Sequence, residues 1–329
     1  MPKRLIDLGA LNASQTKPKI IHTRGRQEQY VALSYCWGLT QHFCTTNENF
    51  SEMQKSIPIE ILPQTIRDAF LVAQKLDIRY IWIDALCIIQ DNEDDWHSEA
   101  RRMGAIYANS YFTIAATAAK DSGEGFLWPR ALNRVSMPFR RYATSESEGT
   151  VCFRQRSDFL RDHQEYVLNS PLQKRAWVLQ ETLLSRRTVH FSSKQIYWEC
   201  RSTFGVEDNM TNDVDCREHA HEFLNMLSAL QGGICSENHA MIFFRIWAKI
   251  LSRYSTLSIS RPSDKLPALS GLALLVERII GCRYLYCIWN FNLPYNLFWQ
   301  PVNRPIPRVN EWRAPSWSWA AWNGEIMFE

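Results

Sequence analysis

The run IRYIWIDALCII, residues 78–89, constrains the fold more than any other stretch. It is nearly continuous in apolar and β-favouring residues. A strand with one wet face alternates, whereas a strand covered on both faces does not. Its neighbours supply the covers. LPQTIRDAFLVAQKL (62–76) puts Leu62, Ile66, Phe70 and Ala73 on one helical face, with Pro63 near its start. NEDDWHSEARRMGAIYANS (92–110) opens on acidic residues and lines Trp96, Ala100, Met103 and Tyr107 along one side. QYVALSYCWG (29–38) and YFTIAATAA (111–119) are strand-like. The order strand, helix, strand, helix, strand predicts an α/β fold with a mostly parallel central sheet flanked by helices.

Further along, Ser170 stands as an N-cap, Pro171 takes the first helical position and Gln173 completes a capping box. Leu172, Ala176, Leu179 and Leu183 form the apolar stripe of the predicted helix. Trp177 and Glu181 lie one turn apart, and Glu181 points away from that stripe, towards solvent, a second layer or a cleft. RRTVHFSS and KQIYWEC read as two strands around a short turn at Ser192–Ser193, and RYATSESEGT (141–150) reads as a loop. Helical periodicity returns in 216–230, 239–254 and 264–280. APSWSWAAWNGEIMF (314–328) reads as a strand pair around Asn323–Gly324, with Trp317 and Trp319 on one face. The expected division is 1–28 as lead-in strands, 29–204 as the α/β domain and 205–329 as a helical plus β-hairpin extension packed on it.

A net charge of +3 with 22% charged residues gives no basic field for nucleic acid, and no basic run is interleaved with aromatics. The most apolar candidate span, LPALSGLALLVERIIGC (266–282), is interrupted by Glu277 and Arg278. The start, MPKRLIDLGA, lacks the apolar core of a signal peptide. The expectation is therefore a cytoplasmic protein with no membrane span. Nine cysteines, none in a C-x-x-C pair, fit a reducing compartment.

Three blocks stand in order: Ser34-Tyr35-Cys36-Trp37-Gly38, the run from Trp82 to Gln90 (WIDALCIIQ), and Arg175-Ala176-Trp177-Val178-Leu179-Gln180-Glu181. Their order and spacing over residues 29–182 resemble the HET domain, named for fungal heterokaryon incompatibility. DKLPALSGLA (264–273) and APSWSWA (314–320) resemble the region that often follows it. The resemblance implies a fungal effector of growth arrest or cell death, triggered when unlike hyphae fuse. The HET domain is in turn distantly similar to TIR domains. That likeness implies a flavodoxin-like sheet and, in some members, cleavage of NAD at the nicotinamide–ribose bond. The TIR-type catalytic glutamate lies on a helix four residues after a tryptophan, and Trp177 and Glu181 have that spacing.

On this reading Glu181 is the catalytic carboxylate. Breaking the nicotinamide–ribose bond builds positive charge on the ribose, which a fixed carboxylate in a dry pocket stabilises. Trp177 or Trp37 would stack on a ring of the substrate. The loop from Tyr35 to Gly38 would lie at the carboxyl edge of the sheet, where open α/β folds bind ligands. Asp84 would either position a ribose hydroxyl or tie down loop amides. NAD would be a substrate, so no cofactor is expected.

Other motifs carry less. Cys216, His219 and His221, with Cys200 or Cys235, lack a second paired half, so no metal is expected. Cys87 sits among aliphatics and reads as packing. Gly123 and Gly125 lack the rest of a phosphate-loop fingerprint. Two alternatives stay open. One is a non-enzymatic module acting by self-association or partner binding through the face of Trp177 and Leu184. The other is a small-molecule enzyme of fungal secondary metabolism, which a tryptophan-lined apolar pocket would favour.

Overall fold

A computed structural model describes residues 1–9, 17–38, 43–130, 134–140, 148–154, 159–207, 218–234, 236–291, 293–309 and 311–328. The chain begins with β1 (Arg4–Asp7), β2 (Lys19–His22) and β3 (Tyr30–Ser34), followed by α1 (Phe50–Met53) and α2 (Gln64–Lys75). Next come β4 (Tyr80–Trp82), α3 (Asp84–Cys87), α4 (Glu93–Ala100), α5 (Met103–Asn109) and β5 (Thr113–Ala115). The hairpin of β6 (Arg134–Arg140) and β7 (Glu148–Arg154) precedes α6 (Phe159–His163), α7 (Ala176–Leu184), β8 (Arg187–Phe191), β9 (Ile196–Cys200) and β10 (Phe204–Val206). The last part holds α8 (Glu218–Ala229), α9 (Glu237–Ser255), α10 (Pro267–Ile280), β11 (Tyr284–Leu285), β12 (Ile288–Trp289), α11 (Leu293–Leu297), β13 (Trp299–Pro301) and β14 (Ile326–Phe328).

The fold is mixed α/β, with an eight-stranded sheet in the order β10-β9-β8-β5-β3-β4-β1-β2. The expected mostly parallel sheet is corrected. Only the central pairings β8–β5, β5–β3 and β3–β4 are parallel, while β1–β2, β1–β4, β8–β9 and β9–β10 are antiparallel. The reason is topological. Long helical crossovers return a strand parallel to its predecessor, and these dominate the middle of the sequence. The short turn after Phe191 leaves no room for a crossover, so β9 must run back against β8. In the parallel centre, β3 lies between its two successors β4 and β5. That places a topological switch point at the carboxyl ends of β3 and β5.

The run 78–89 is also divided. Only Tyr80–Trp82 is strand, and Asp84 then opens a helical turn through Cys87. Asp84 begins the turn because its Oδ1 accepts the N–H of Ala85 at 2.7 Å. The single helix expected over 92–110 is two, α4 and α5. Arg102 at the junction donates to the Met1 carbonyl, 2.7 Å away. The predicted helix from Pro171 breaks at Arg175, which is extended (φ −89°, ψ 134°). Ser258 bridges to this break: its N–H donates to the Lys174 carbonyl (2.7 Å) and its carbonyl accepts from Ala176 (3.0 Å).

At the chain's end, the expected strand pair around Asn323–Gly324 does not form. β14 pairs instead with β13, and Trp319–Ala321 is a 3-10 turn with Trp319 buried and Trp317 exposed. Of the predicted loop, residues 141–147 lie outside the described residues, and Glu148 to Thr150 are strand. No helix among the described residues is long and apolar enough to cross a membrane.

Two apolar cores meet at α7. One joins the sheet to α2 and α5 through Ile66, Phe70, Ile106 and Tyr107. The other joins Ala176, Leu179 and Leu183 of α7 to α8, α9 and α10 and to Trp289 and Trp319. Helix α7 is therefore packed on opposite sides. Its polar-looking residues Gln180 and Glu181 are 0% and 5% exposed.

Candidate functional site

The three blocks converge on the carboxyl edge of the parallel strands. Tyr35, Trp37 and Gly38 follow β3, Asp84 follows β4, and Arg175 and Glu181 come from the break before α7 and its second turn. Arg175 donates from its guanidinium to the Tyr35 carbonyl, which ties the first block to the third. Trp37 donates its indole N–H to Asp84 Oδ2 at 2.8 Å, which ties the first to the second. Gln90, the last residue of the second block, donates to the Asp84 carbonyl at 3.0 Å and holds the turn closed. Gly38 ends the loop at φ +88°, in the left-handed region that a side chain would disfavour, and is exposed.

Glu181 is buried. Burial pushes its carboxyl up to about 7, with the Asp84 charge acting the same way, against the lowering pull of Ser34, Arg175 and Tyr107. Its Oε2 has no hydrogen-bond partner. The Ser34 and Tyr107 hydroxyls stand beside it, but Tyr107 donates to the Leu33 carbonyl at 2.9 Å. The group is thus poised between its protonated and ionised forms near neutrality, which general acid–base and charge-stabilising chemistry both require.

Asp84 is half-buried, and burial holds its carboxyl above the ordinary range. Arg175, Trp37 and the Ala85 N–H pull it back down. The tie to a loop amide is therefore present at Ala85, and the same carboxylate also holds an indole. Burial, then the Asp84 charge, raises the Tyr35 hydroxyl well above its usual value, so it stays protonated. Cys36 and Cys87 are likewise pushed up by burial, Cys87 to about 12, which leaves neither as a ready thiolate.

Trp177 goes elsewhere. Its indole N–H donates to Asp264 Oδ2 at 3.1 Å, and its ring meets Trp96 edge-on at 6.1 Å. The structure thus brings Tyr35, Trp37, Asp84 and Glu181 into one cluster, with Gly38 at its rim and Trp177 at the junction of the two cores. Leu184 is 2% exposed and Trp177 is half-buried, so only the Trp177 end of that face reaches the surface. Sequence reasoning did not assign site roles to Ser34 and Tyr107. Ser34 stood inside a quoted block. Tyr107 looked like any other apolar-face residue of its helix, and only the fold carries it to Glu181.

A second buried titratable cluster lies across β8 and β9. Glu199 Oε1 is 2.6 Å from His163 Nε2 and its Oε2 is 3.3 Å from His190 Nε2; Thr117 Oγ1 is 3.1 Å from His190 Nδ1. Although burial opposes it, the paired histidines hold the Glu199 carboxyl well below the usual range. Cys216 and Cys235 of the loose cysteine–histidine set lie outside the described residues.

The three blocks and their spacing are the features that carry the likeness to a known family. Residues 30–181 match the family model of heterokaryon incompatibility protein (HET). The matched segment starts at the first residue of β3 and ends on Glu181, so it contains every residue of the Glu181 cluster, but not Glu199 or His190. It supports a role of the heterokaryon-incompatibility type. No curated protein and no solved structure matches the chain.

Proposed function

We propose that the HET region is a fungal cell-death effector that hydrolyses NAD at the nicotinamide–ribose bond, with Glu181 as the key carboxylate. One observation carries the reading: two carboxylates raised by burial, Asp84 and Glu181, both feel the charge of one guanidinium, Arg175, beside Tyr35 and Trp37 at the sheet's switch point. Trp37, Asp84 and Arg175 are half-buried, so the substrate would enter over them and reach Glu181 beneath. In the step, the C1′–N bond breaks and nicotinamide leaves with the electron pair. Ionised Glu181 stabilises the ribosyl cation as it forms, water adds at C1′, and the water's proton passes to solvent. Trp37 would offer a ring face to the base, and Asp84 would accept from a ribose hydroxyl in exchange for its indole contact. The TIR-like spacing of Trp177 and Glu181 supports this role for Glu181, while the contacts of Trp177 with Asp264 and Trp96 favour a packing role for it.

The test is nicotinamide release by the purified chain at low and high protein concentration, beside Glu181→Gln. Release by the wild type, with a fall of about a hundredfold or more in the folded variant, is the expected result. Equal release by both, or none at any concentration, would remove the assignment.

A further inference from the structure

Helix α9 carries two apolar faces where a surface helix needs one. Phe243, Ile246, Ile250 and Tyr254 are buried in the second core. A second face, running from Met241 through Phe244 and Ala248 to Ser252, opens on a cavity of about 670 Å³. Its opposite wall is Tyr295 of α11 with Met327 and Phe328 of β14. The floor is deep: Trp247 and Cys287 reach it and are each 2% exposed. The mouth is apolar and open, with Met241 64%, Tyr295 51% and Met327 44% exposed. Phe244 and Tyr295 stack across it at 5.6 Å. This volume falls within the roughly 300–1,000 Å³ range of small-molecule sites.

Shape and charge select the occupant. The α9 wall from Met241 to Ser252 is about 16 Å long at 1.5 Å per residue, so the hollow is a trough that suits a chain better than a compact ring system. Its polar edge is cationic. Lys249 shares its charge with Glu222 at 3.0 Å, while Arg245, one turn earlier and exposed, has no ion-pair partner among the described residues. A flat protein contact would not need a floor sunk to Trp247. We propose that this trough binds an acyl chain with an anionic head, the chain lying along α9 and the head paired with Arg245. The site is separate from the Glu181 cluster and does not depend on the activity proposed for it.

The experiment uses the full chain and dodecanoate as probe, displacing a fluorescent anilinonaphthalene sulfonate. Dodecanol is the headless control, and vesicles of phosphatidylcholine with phosphatidylserine separate a free acyl anion from a lipid surface. Saturable displacement by dodecanoate is expected. Ala248→Trp, which fills the trough midway, should weaken it by about tenfold or more, and Arg245→Glu should weaken dodecanoate by about tenfold while leaving dodecanol unchanged. Unaltered circular dichroism checks the fold of both, and Arg245, being exposed, keeps the test open if Ala248→Trp fails to fold. Displacement in vesicles only, no saturable binding, or binding indifferent to both substitutions would each overturn the proposal.

Discussion

Glu181 and Glu199 are both buried glutamates, yet they make stability depend on pH in opposite senses. Glu181 has its carboxyl raised to about 7, so between about 4.5 and 7 the folded state holds a proton that the unfolded state has lost. Its contribution is complete below the ordinary glutamate value and is lost as pH rises through 7, a change on the order of 3 kcal/mol. Glu181→Gln should therefore flatten the fall in melting temperature over that window. Identical slopes would show that the carboxyl is not raised. Glu199 is held low by His163 and His190, so its contribution is present above the ordinary value and lost as pH falls. Glu199→Gln should cost about 2–4 kcal/mol at neutral pH, read by urea unfolding, and less in acid. An unchanged midpoint would mean that the histidines do not depend on the charge. At this scale the sequence was a partial guide. The three blocks named Glu181, Asp84, Tyr35 and Trp37 because their residue types and spacing are local. Nothing local distinguishes Tyr107 from its neighbours, or shows that Glu199 would meet two histidines from other elements.

Helix α7 is the element on which the candidate site depends. Its apolar stripe is anchored on α8–α10, and the same helix delivers Glu181 to the sheet edge. Packing there is close enough to be tested by single methyl groups. α5 and α10 touch at Gly104 and Gly271; a Cβ on Gly271 would stand 2.5 Å from Gln180 Oε1 and 2.9 Å from the Gly104 nitrogen. Gln180 is fully buried, with neither amide atom hydrogen-bonded, and it directly precedes Glu181. Gly271→Ala should destabilise the protein by about 1–3 kcal/mol or more, since backbone cannot step aside as a side chain can. It should also disturb nicotinamide release before it unfolds the chain. Gly232→Ala, with open space around it, is a control for loss of glycine but adds strain of its own at φ +106°. A Gly271→Ala protein as stable as wild type would contradict this packing. The helix was legible from its stripe, but not from Ser170: its Oγ receives the Gln173 N–H at 3.4 Å in the separate 3-10 turn Leu172–Lys174, and α7 itself starts after Arg175. The break at Arg175 was not legible, because the partner that stabilises the break, Ser258, lies far along the chain. The same limit explains the sheet: crossover helices announce parallel strands in the sequence, while the antiparallel edges depend on pairings between short segments.

At the scale of the molecule, the residues beyond 207 complete the core of the HET region. The chain cut after residue 207 would expose Ala176, Leu179, Leu183 and Leu184 together. That fragment should lose cooperative unfolding and bind apolar dyes. A fragment with the melting temperature of the whole chain would show instead that the HET region folds alone. On the proposed function, the sheet edge would carry the chemistry, while α8–α10 support α7. The most direct test of this account is the pH profile of nicotinamide release from NAD, wild type beside Glu181→Gln. The account predicts release that rises with pH through about 7 as the Glu181 carboxyl ionises and then levels off, with the variant near background at every pH while remaining folded. Release that is equal in the two proteins, or absent from a well-folded wild type, would contradict it.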